Sequence, residues 1–178
     1  YDITAWSLPY AHGFKAMASK TKVPSRKDFL VGMVFNKPNK EAYAYLSKWN
    51  SLEDAAFLAD ILNKNLRVRF AEEDFVSSGK DFGSSSVNPI NKQKVAVLSG
   101  DGTSSLSFGE IWHFFETQLK YPLTILDTDY FSSVDLDAFD VLIIPNGYYS
   151  SVLNKSGLKK VSKFSRNGGT VIAIGSAL

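Results

Sequence analysis

The stretch that decides the predicted fold is Lys94–Leu119, KVAVLSGDGTSSLSFGEIWHFFETQL. Its apolar run Val95–Leu98 predicts a buried strand, the polar residues after it predict a loop, and the amphipathic segment from Gly109 predicts a helix. A strand, loop and helix in this order are typical of the first unit of a parallel α/β sheet. Such sheets bind ligands beyond the carboxyl ends of their strands, so we expect a binding site at Asp101–Ser105.

The rest of the second half continues the same alternation. Further strands are predicted at Pro122–Leu126, Val141–Ile144 and Thr170–Ile174, and a helical turn at Leu136–Asp140. A helix from about Ser156 is predicted to face inward with Leu158, Val161 and either Phe164 or Ser165, and to end at Asn167-Gly168-Gly169. We therefore predict an α/β domain over residues 94–178, a parallel-sheet three-layer sandwich. Because such sheets usually continue, we expect this one to be truncated at its C-terminus.

The first half, residues 1–75, is predicted to be an irregular aromatic connector followed by a βαβ unit. Strands are predicted at Phe29–Phe35, at Ala42–Trp49, where the alanines leave a helix as an alternative, and at Leu66–Ala71. In the last strand Leu66, Val68 and Phe70 are predicted to face inward. A capping box at Ser51–Asp54 predicts a helix that ends at Asn63-Lys64-Asn65. Residues 76–93 are rich in Ser, Gly and Asn, which predicts a linker or a site of missing residues.

Composition excludes several classes of protein. The 178 residues include 44% hydrophobic ones, which is enough for a sizeable core. Twenty basic and eighteen acidic residues are scattered and form no basic stripe, so nucleic acid is not an expected partner. No run approaches the roughly 18 apolar residues of a membrane span. With no Cys, the chain has no thiolate nucleophile or thiolate metal ligand.

Several polar residues are candidates for a ligand site at the ends of the predicted strands. The loop residues Asp101, Gly102, Thr103, Ser104 and Ser105 offer N–H groups and hydroxyls before a helix, which favours an anion, although simple turn formation is the alternative. Asn146, Gly147, Tyr148, Tyr149 and Ser176 should lie nearby and line a polar, aromatic pocket for a sugar or a peptide end.

Two other features are weaker candidates for chemistry. Ser176 lacks the flanking glycines of the nucleophile elbow G-x-S-x-G. Asp127 and Asp129 are predicted to be turn residues rather than an acid/base pair. We therefore predict no catalytic residue in this chain.

A family resemblance supplies the functional expectation. The strings VAVLSGDGTSSLSFGEIWHFFE, DVLIIPNGYY and YDITAWSLPYAHGF resemble the region downstream of the catalytic domain in large bacterial zinc carboxypeptidases of the carboxypeptidase A-like type. The resemblance implies a secreted or periplasmic metallopeptidase whose C-terminal part has a class I glutamine amidotransferase-like, flavodoxin-like fold. It also implies an accessory, non-catalytic role beside the peptidase domain of the same chain. A degenerate module that binds a small ligand is the alternative.

The same resemblance bears on two features, the turn at Gly175 and the pair His113 and Glu116. The nucleophilic Cys of amidotransferase-like proteins corresponds to Gly175, which has no side chain to attack a substrate. His113 and Glu116 match in letters the H-x-x-E zinc motif of carboxypeptidases, and on a helix they would share a face. Zinc needs at least three protein ligands, so we expect no metal or cofactor in this chain and place the zinc in the parent peptidase domain.

Overall fold

The structure is a computed structural model that describes residues 41–72 and 85–177, together with Lys15, Met17 and residues 19–22. The chain divides into two compact units, Tyr1–Ala55 and Ala56–Leu178. Most of the predicted aromatic connector and all of the predicted strand Phe29–Phe35 lie outside the described residues.

Within the first unit, the segment before the first helix is irregular. Residues 42–49 belong to no helix or strand, so both the strand and the helix predicted at Ala42–Trp49 are wrong. The side chains of Tyr43 and Trp49 are mostly exposed. The alternation of alanine and aromatic residues indicates an extended chain, but a strand also needs a pairing partner, which local sequence does not supply.

Helix α1 spans Leu52–Asn63 and begins with the predicted capping box. The Ser51 hydroxyl accepts from the Asp54 N–H at 3.2 Å, and the Asp54 carboxylate accepts from the N–H groups of Asn50 and Ser51 at 3.0 and 3.1 Å. The bond from Asn50 is the main reason that the pKa of Asp54 lies below its ordinary value. The buried residues of the helix are Ala59 and Leu62.

A two-stranded antiparallel sheet follows, formed by β1, Val68–Ala71, and β2, Val87–Ile90. The predicted βαβ unit is therefore wrong, because β1 pairs with a later strand in the antiparallel direction. Leu66 and Phe70, predicted to face inward, are 56% and 45% exposed. Strand β2 lies within the predicted linker, and its internal proline is typical of a two-stranded or edge position that composition alone hides. The division at residues 75 and 93 stays a prediction.

The second unit is dominated by a four-stranded parallel sheet. Its strands are β3, Val95–Ser99, β4, Leu123–Asp127, β5, Val141–Ile144, and β6, Thr170–Ala173. The spatial order is β4-β3-β5-β6, with β3 paired to both β4 and β5. Counted within this sheet the order is 2-1-3-4, an order that flavodoxin-like sheets share. The predicted parallel sheet is confirmed, whereas membership of the narrower class stays a prediction.

Helices cover both faces of this sheet, which confirms the predicted three-layer sandwich. Helix α2, Ser105–His113, continues as a π-helix over Phe114–Leu119. Helix α3 spans Lys155–Arg166. On the α2 side the buried residues are Val95, Val97 and Ile143, contacted by Phe108, Ile111 and Phe115. On the α3 side they include Ala96, Leu98, Leu142 and Ile144, together with Val161 and Phe164 of the helix. Successive strand residues thus alternate between the two cores.

Two helix details differ from the prediction. Helix α2 begins at Ser105 rather than at Gly109, because Ser104 caps it by accepting from the Ser107 N–H at 3.4 Å. Leu158, predicted to face inward, is 46% exposed. Gly157 is buried in its place, since a Cβ there would collide with the carbonyl oxygen of Val152. The absent side chain lets α3 approach the preceding loop closely.

Candidate functional site

An open crevice of about 790 Å³ lies at the carboxyl edge of the parallel sheet. Its lining contains most of the predicted site residues: Gly102, Thr103, Ser104, Asn146, Tyr148 and Ser176. Asp101 and Ser105 do not line it, because Asp101 lies in an exposed turn and Ser105 is the first residue of α2. The structure therefore brings together residues from three loops that follow β3, β5 and β6.

Backbone hydrogen bonds join the loops after β3 and β5. Tyr148 N–H donates to Gly102 O at 2.8 Å, and Ser104 N–H donates to Asn146 O at 2.9 Å. Gly102 has a φ of +85°, and a Cβ there would collide with the Tyr148 carbonyl oxygen. Only glycine combines this backbone conformation with so close an approach, so Gly102 is needed for the crevice wall.

Asn146 connects all three loops. Its N–H donates to Ser107 Oγ at 3.0 Å, and its Oδ1 accepts from Ser176 N–H at 3.0 Å and from the Ser176 hydroxyl at 2.9 Å. Because a backbone N–H can only donate, the side-chain oxygen rather than the nitrogen faces Ser176. The Asn146 Nδ2 donor then has no hydrogen-bond partner within the ranges that the structure describes.

Gly175 occupies the turn after β6, at the position where the resemblance puts the amidotransferase nucleophile. Its φ is +65°, and a Cβ there would lie 2.6 Å from Asn146 Oδ1. A side chain at this position would therefore have to displace the Asn146 amide. The neighbouring Ser176 hydroxyl donates to that amide oxygen, which is not a base that could activate it.

Two consecutive tyrosines have opposite environments. Tyr149 is 3% exposed and donates its hydroxyl to Pro145 O at 3.0 Å, and this burial raises the pKa of the Tyr149 hydroxyl. Tyr148 is 79% exposed at the crevice. Tyr149 thus anchors the loop, while Tyr148 presents its ring to solvent.

Sequence reasoning missed four lining residues: Ser150, Leu153, Leu158 and Ala177. Ser150 directly follows the predicted tyrosine pair, and this proximity was the one signal that could have identified it. Helical periodicity assigned Leu158 to the core, but Leu158 is 46% exposed and lines the crevice.

The H-x-x-E pair falls where the helix changes type. His113 is the last residue of α2, and Glu116 lies in the π-helix, whose hydrogen bonds span five residues instead of four. The side chains therefore do not have the α-helical spacing that the zinc motif assumes. Across the described residues, no three His, Cys, Asp or Glu side chains are grouped so that they could hold a metal. These residues do not fit a zinc site.

The Asp127 carboxylate accepts from the Asp129 N–H at 2.8 Å, which is the turn role predicted for these two residues.

A second crevice, of about 400 Å³, lies at the opposite, amino-terminal edge of the sheet. Its Asp140 carboxylate accepts from the Lys94 N–H at 2.6 Å. Its Asp137 carboxylate accepts from Asn167 Nδ2 at 3.3 Å and lies 3.6 Å from the Lys163 ammonium group. Both carboxylates are therefore engaged in connecting chain segments.

Among the described helices, none has the length and apolar character to cross a bilayer. No family model, no curated protein and no solved structure matches the chain.

Proposed function

We propose that this chain is a non-catalytic accessory domain of a zinc-dependent carboxypeptidase, with a class I glutamine amidotransferase-like fold. In this role it supports the peptidase domain of the same chain, in the periplasm or outside the cell, or presents substrate to it. The zinc belongs to the peptidase domain. The proposal draws on the resemblance of the strings VAVLSGDGTSSLSFGEIWHFFE, DVLIIPNGYY and YDITAWSLPYAHGF to carboxypeptidases of this type.

The turn at Gly175 is the observation that carries the non-catalytic part of this proposal. Position 175 has no side chain, and the space where a Cβ would begin is 2.6 Å from Asn146 Oδ1. A nucleophilic side chain at this position would therefore require the Asn146 amide to shift. The hydrogen bonds from Ser176 hold that amide in position.

Ammonia release from glutamine tests this part. We expect no turnover by the wild-type chain or by Gly175→Cys, because the new thiol would compete with Asn146 for space and would lack a basic partner. Turnover by the wild type would overturn the proposal. Gly175→Ala serves as the control for folding, since it introduces the same steric conflict without a thiol.

The accessory role is tested in the complete protein. We expect the reading frame upstream of Tyr1 to encode H-x-x-E and a later His. Deleting residues 94–178 should lower the thermal stability or the substrate turnover of the peptidase while its zinc content stays the same. An unchanged stability together with unchanged turnover would contradict the accessory role.

A second candidate function is the binding of a small ligand, a peptide end or a sugar, at the carboxyl edge of the sheet. The favouring observation is the crevice of about 790 Å³, in which the Asn146 Nδ2 donor lacks a partner among the described residues. Its size falls within the range of roughly 300–1,000 Å³ that ligand sites have. A ligand should raise the melting temperature of the chain, and the absence of any shift with peptides and sugars would contradict this function.

A further inference from the structure

The described residues that line the crevice at the carboxyl edge carry no charged side chain. They are glycine, serine, threonine, asparagine, tyrosine, leucine and alanine, and none of them supplies a carboxylate, ammonium, guanidinium or imidazole group. A peptide end carries a full charge, and moving a charge out of water is costly unless an opposite charge or several hydrogen bonds receive it. An uncharged ligand avoids this cost.

The polar groups of the crevice offer both donors and acceptors. Asn146 Nδ2 is a donor that no described residue uses. The Ser176 hydroxyl uses its proton on Asn146 Oδ1 and keeps lone pairs that can accept. The Ser104 hydroxyl accepts from the Ser107 N–H and keeps its own proton to donate. A ligand hydroxyl both donates and accepts, so a ligand with several hydroxyls matches this mixture.

An exposed aromatic ring borders these polar groups. Tyr148 is 79% exposed, although the chain buries the very next residue, Tyr149, to 3%. Leu158, 46% exposed, adds an apolar edge to the same crevice. The C–H faces of sugar rings pack on flat aromatic surfaces, while the sugar hydroxyls bond to polar neighbours. A tyrosine ring in a binding site provides such a surface.

From the neutral lining, the mixed donors and acceptors and the exposed ring, we infer that this crevice binds a neutral saccharide of one or two sugar units. The inference rests on the ligand-binding role proposed above and narrows it to one class. Ser104 and Asn146 bind the hydroxyls, and Tyr148 stacks against one face of a sugar ring. The N-terminus of α2 lies at the crevice and favours an anion, so an anionic ligand is the rival that the test must include.

The test is a calorimetric titration of the whole chain with maltose, cellobiose and diacetylchitobiose, and with a dipeptide and inorganic phosphate as charged probes. We expect at least one disaccharide to bind with a millimolar or lower Kd, and both charged probes to bind at least roughly tenfold more weakly. Tyr148→Ala should weaken disaccharide binding at least roughly tenfold, whereas Tyr148→Phe should retain it, because stacking needs only the ring.

Tyr130→Ala is the matched control. Tyr130 is 69% exposed and follows β4, but it does not line the crevice, so its removal should leave the affinity unchanged. Two results would overturn the inference. If the dipeptide or phosphate binds more tightly than every disaccharide with the same dependence on Tyr148, the ligand-binding role stands and the saccharide is wrong. If no probe binds, both the saccharide and the ligand-binding role fail.

Discussion

The parallel sheet has a crevice at each edge, and the two crevices use their polar groups differently. At the amino-terminal edge, the carboxylates of Asp137 and Asp140 receive hydrogen bonds from Asn167 and Lys94. At the carboxyl edge, the described residues that line the larger crevice are uncharged, and none of the described residues bonds to Asn146 Nδ2. At the amino-terminal edge both carboxylates are engaged in connecting chain segments, whereas at the carboxyl edge Asn146 joins the loops and still keeps its Nδ2 donor available to a ligand.

This contrast explains how a site can persist without catalytic groups. Parallel strands bring their carboxyl ends and the following loops to one edge, so the crevice follows from the topology. Chemistry needs in addition a nucleophile and a base, and the turn after β6, where the resemblance would put the nucleophile, has Gly175 beside the Asn146 amide. Binding and catalysis are thus separable properties of this edge.

The largest expected effect compares one glycine from each edge. Gly102→Ala should lower the free energy of unfolding by about 2–5 kcal/mol, because it adds a collision with the Tyr148 carbonyl oxygen to the strain of a positive φ. Gly168→Ala should cost only about 1–2 kcal/mol, since its φ is +100° but a Cβ there meets open space. Urea unfolding measures both. Equal losses would remove the claim that Gly102 holds the crevice wall.

An exchange of amide and carboxylate sharpens the contrast further. Asn146→Asp replaces the free Nδ2 donor with a charged acceptor, so saccharide affinity should fall at least roughly tenfold, or about 1.4 kcal/mol. Asp140→Asn keeps an acceptor for the Lys94 N–H, so affinity should not change and stability should fall by about 1 kcal/mol or less. Calorimetric titration of both variants gives the affinities. An effect on affinity from Asp140→Asn alone would reverse the assignment of the two edges.

The caps of α2 and α3 provide a smaller contrast. Asn154 Oδ1 accepts from Ser156 and Gly157 N–H at 2.9 and 3.2 Å, so Asn154→Ala should cost about 1–2 kcal/mol of stability. Ser104 makes one longer bond to Ser107, so Ser104→Ala should cost about 0.5 kcal/mol. Of these two substitutions, only Ser104→Ala should also weaken the binding of the ligand. Thermal unfolding and titration together decide this, and an unchanged affinity in Ser104→Ala would contradict a role of Ser104 in binding.

The smallest expected effect is a dependence on alkaline pH. Burial raises the pKa of Tyr149 above its ordinary value of 10.0. Above that pH the unfolded chain releases this proton first, so the folded state holds more protons and the free energy of unfolding falls as pH rises. Below pH 10.0 the contribution of the Tyr149 hydroxyl to the free energy of unfolding is fully present.

Unfolding of Tyr149→Phe at several pH values measures this effect. The decrease in the free energy of unfolding above pH 10.0 should be smaller in this variant than in the wild type. It should not disappear, because burial also raises the pKa of Tyr121. A wild-type stability that rises through this pH range would contradict the burial of Tyr149.

The parallel sheet could be predicted because its strands are buried on both faces. Val95–Leu98 and Val141–Ile144 form continuous apolar runs between polar breaks, and the structure has strands at both. The start of α2 was missed because Ser104–Ser107 has the composition of a loop, although Ser104 acts as a cap. Local composition does not distinguish a loop from the first turn of a capped helix.

Prediction failed where structure depends on distant partners. The antiparallel pairing of β1 with β2 joins a strand that precedes the segment predicted as a linker to a strand that lies within that segment. For the site, the convergence of the loops was predictable from strand order, which is why Ser104, Asn146 and Tyr148 were all assigned to it. The close approach of Asn146 to position 175 could not be predicted, because it depends on side-chain orientation across two loops.

The most direct test of the central claim, that the carboxyl edge is a binding site without catalytic groups, is a map of backbone amide chemical shifts. On addition of the tightest neutral disaccharide, perturbations should concentrate at Gly102–Ser104, Asn146–Ser150 and Ser176, with the disaccharide recovered intact. Perturbations centred on Asp137 and Asn167–Gly169 at the opposite edge, or cleavage of the added sugar, would contradict the account.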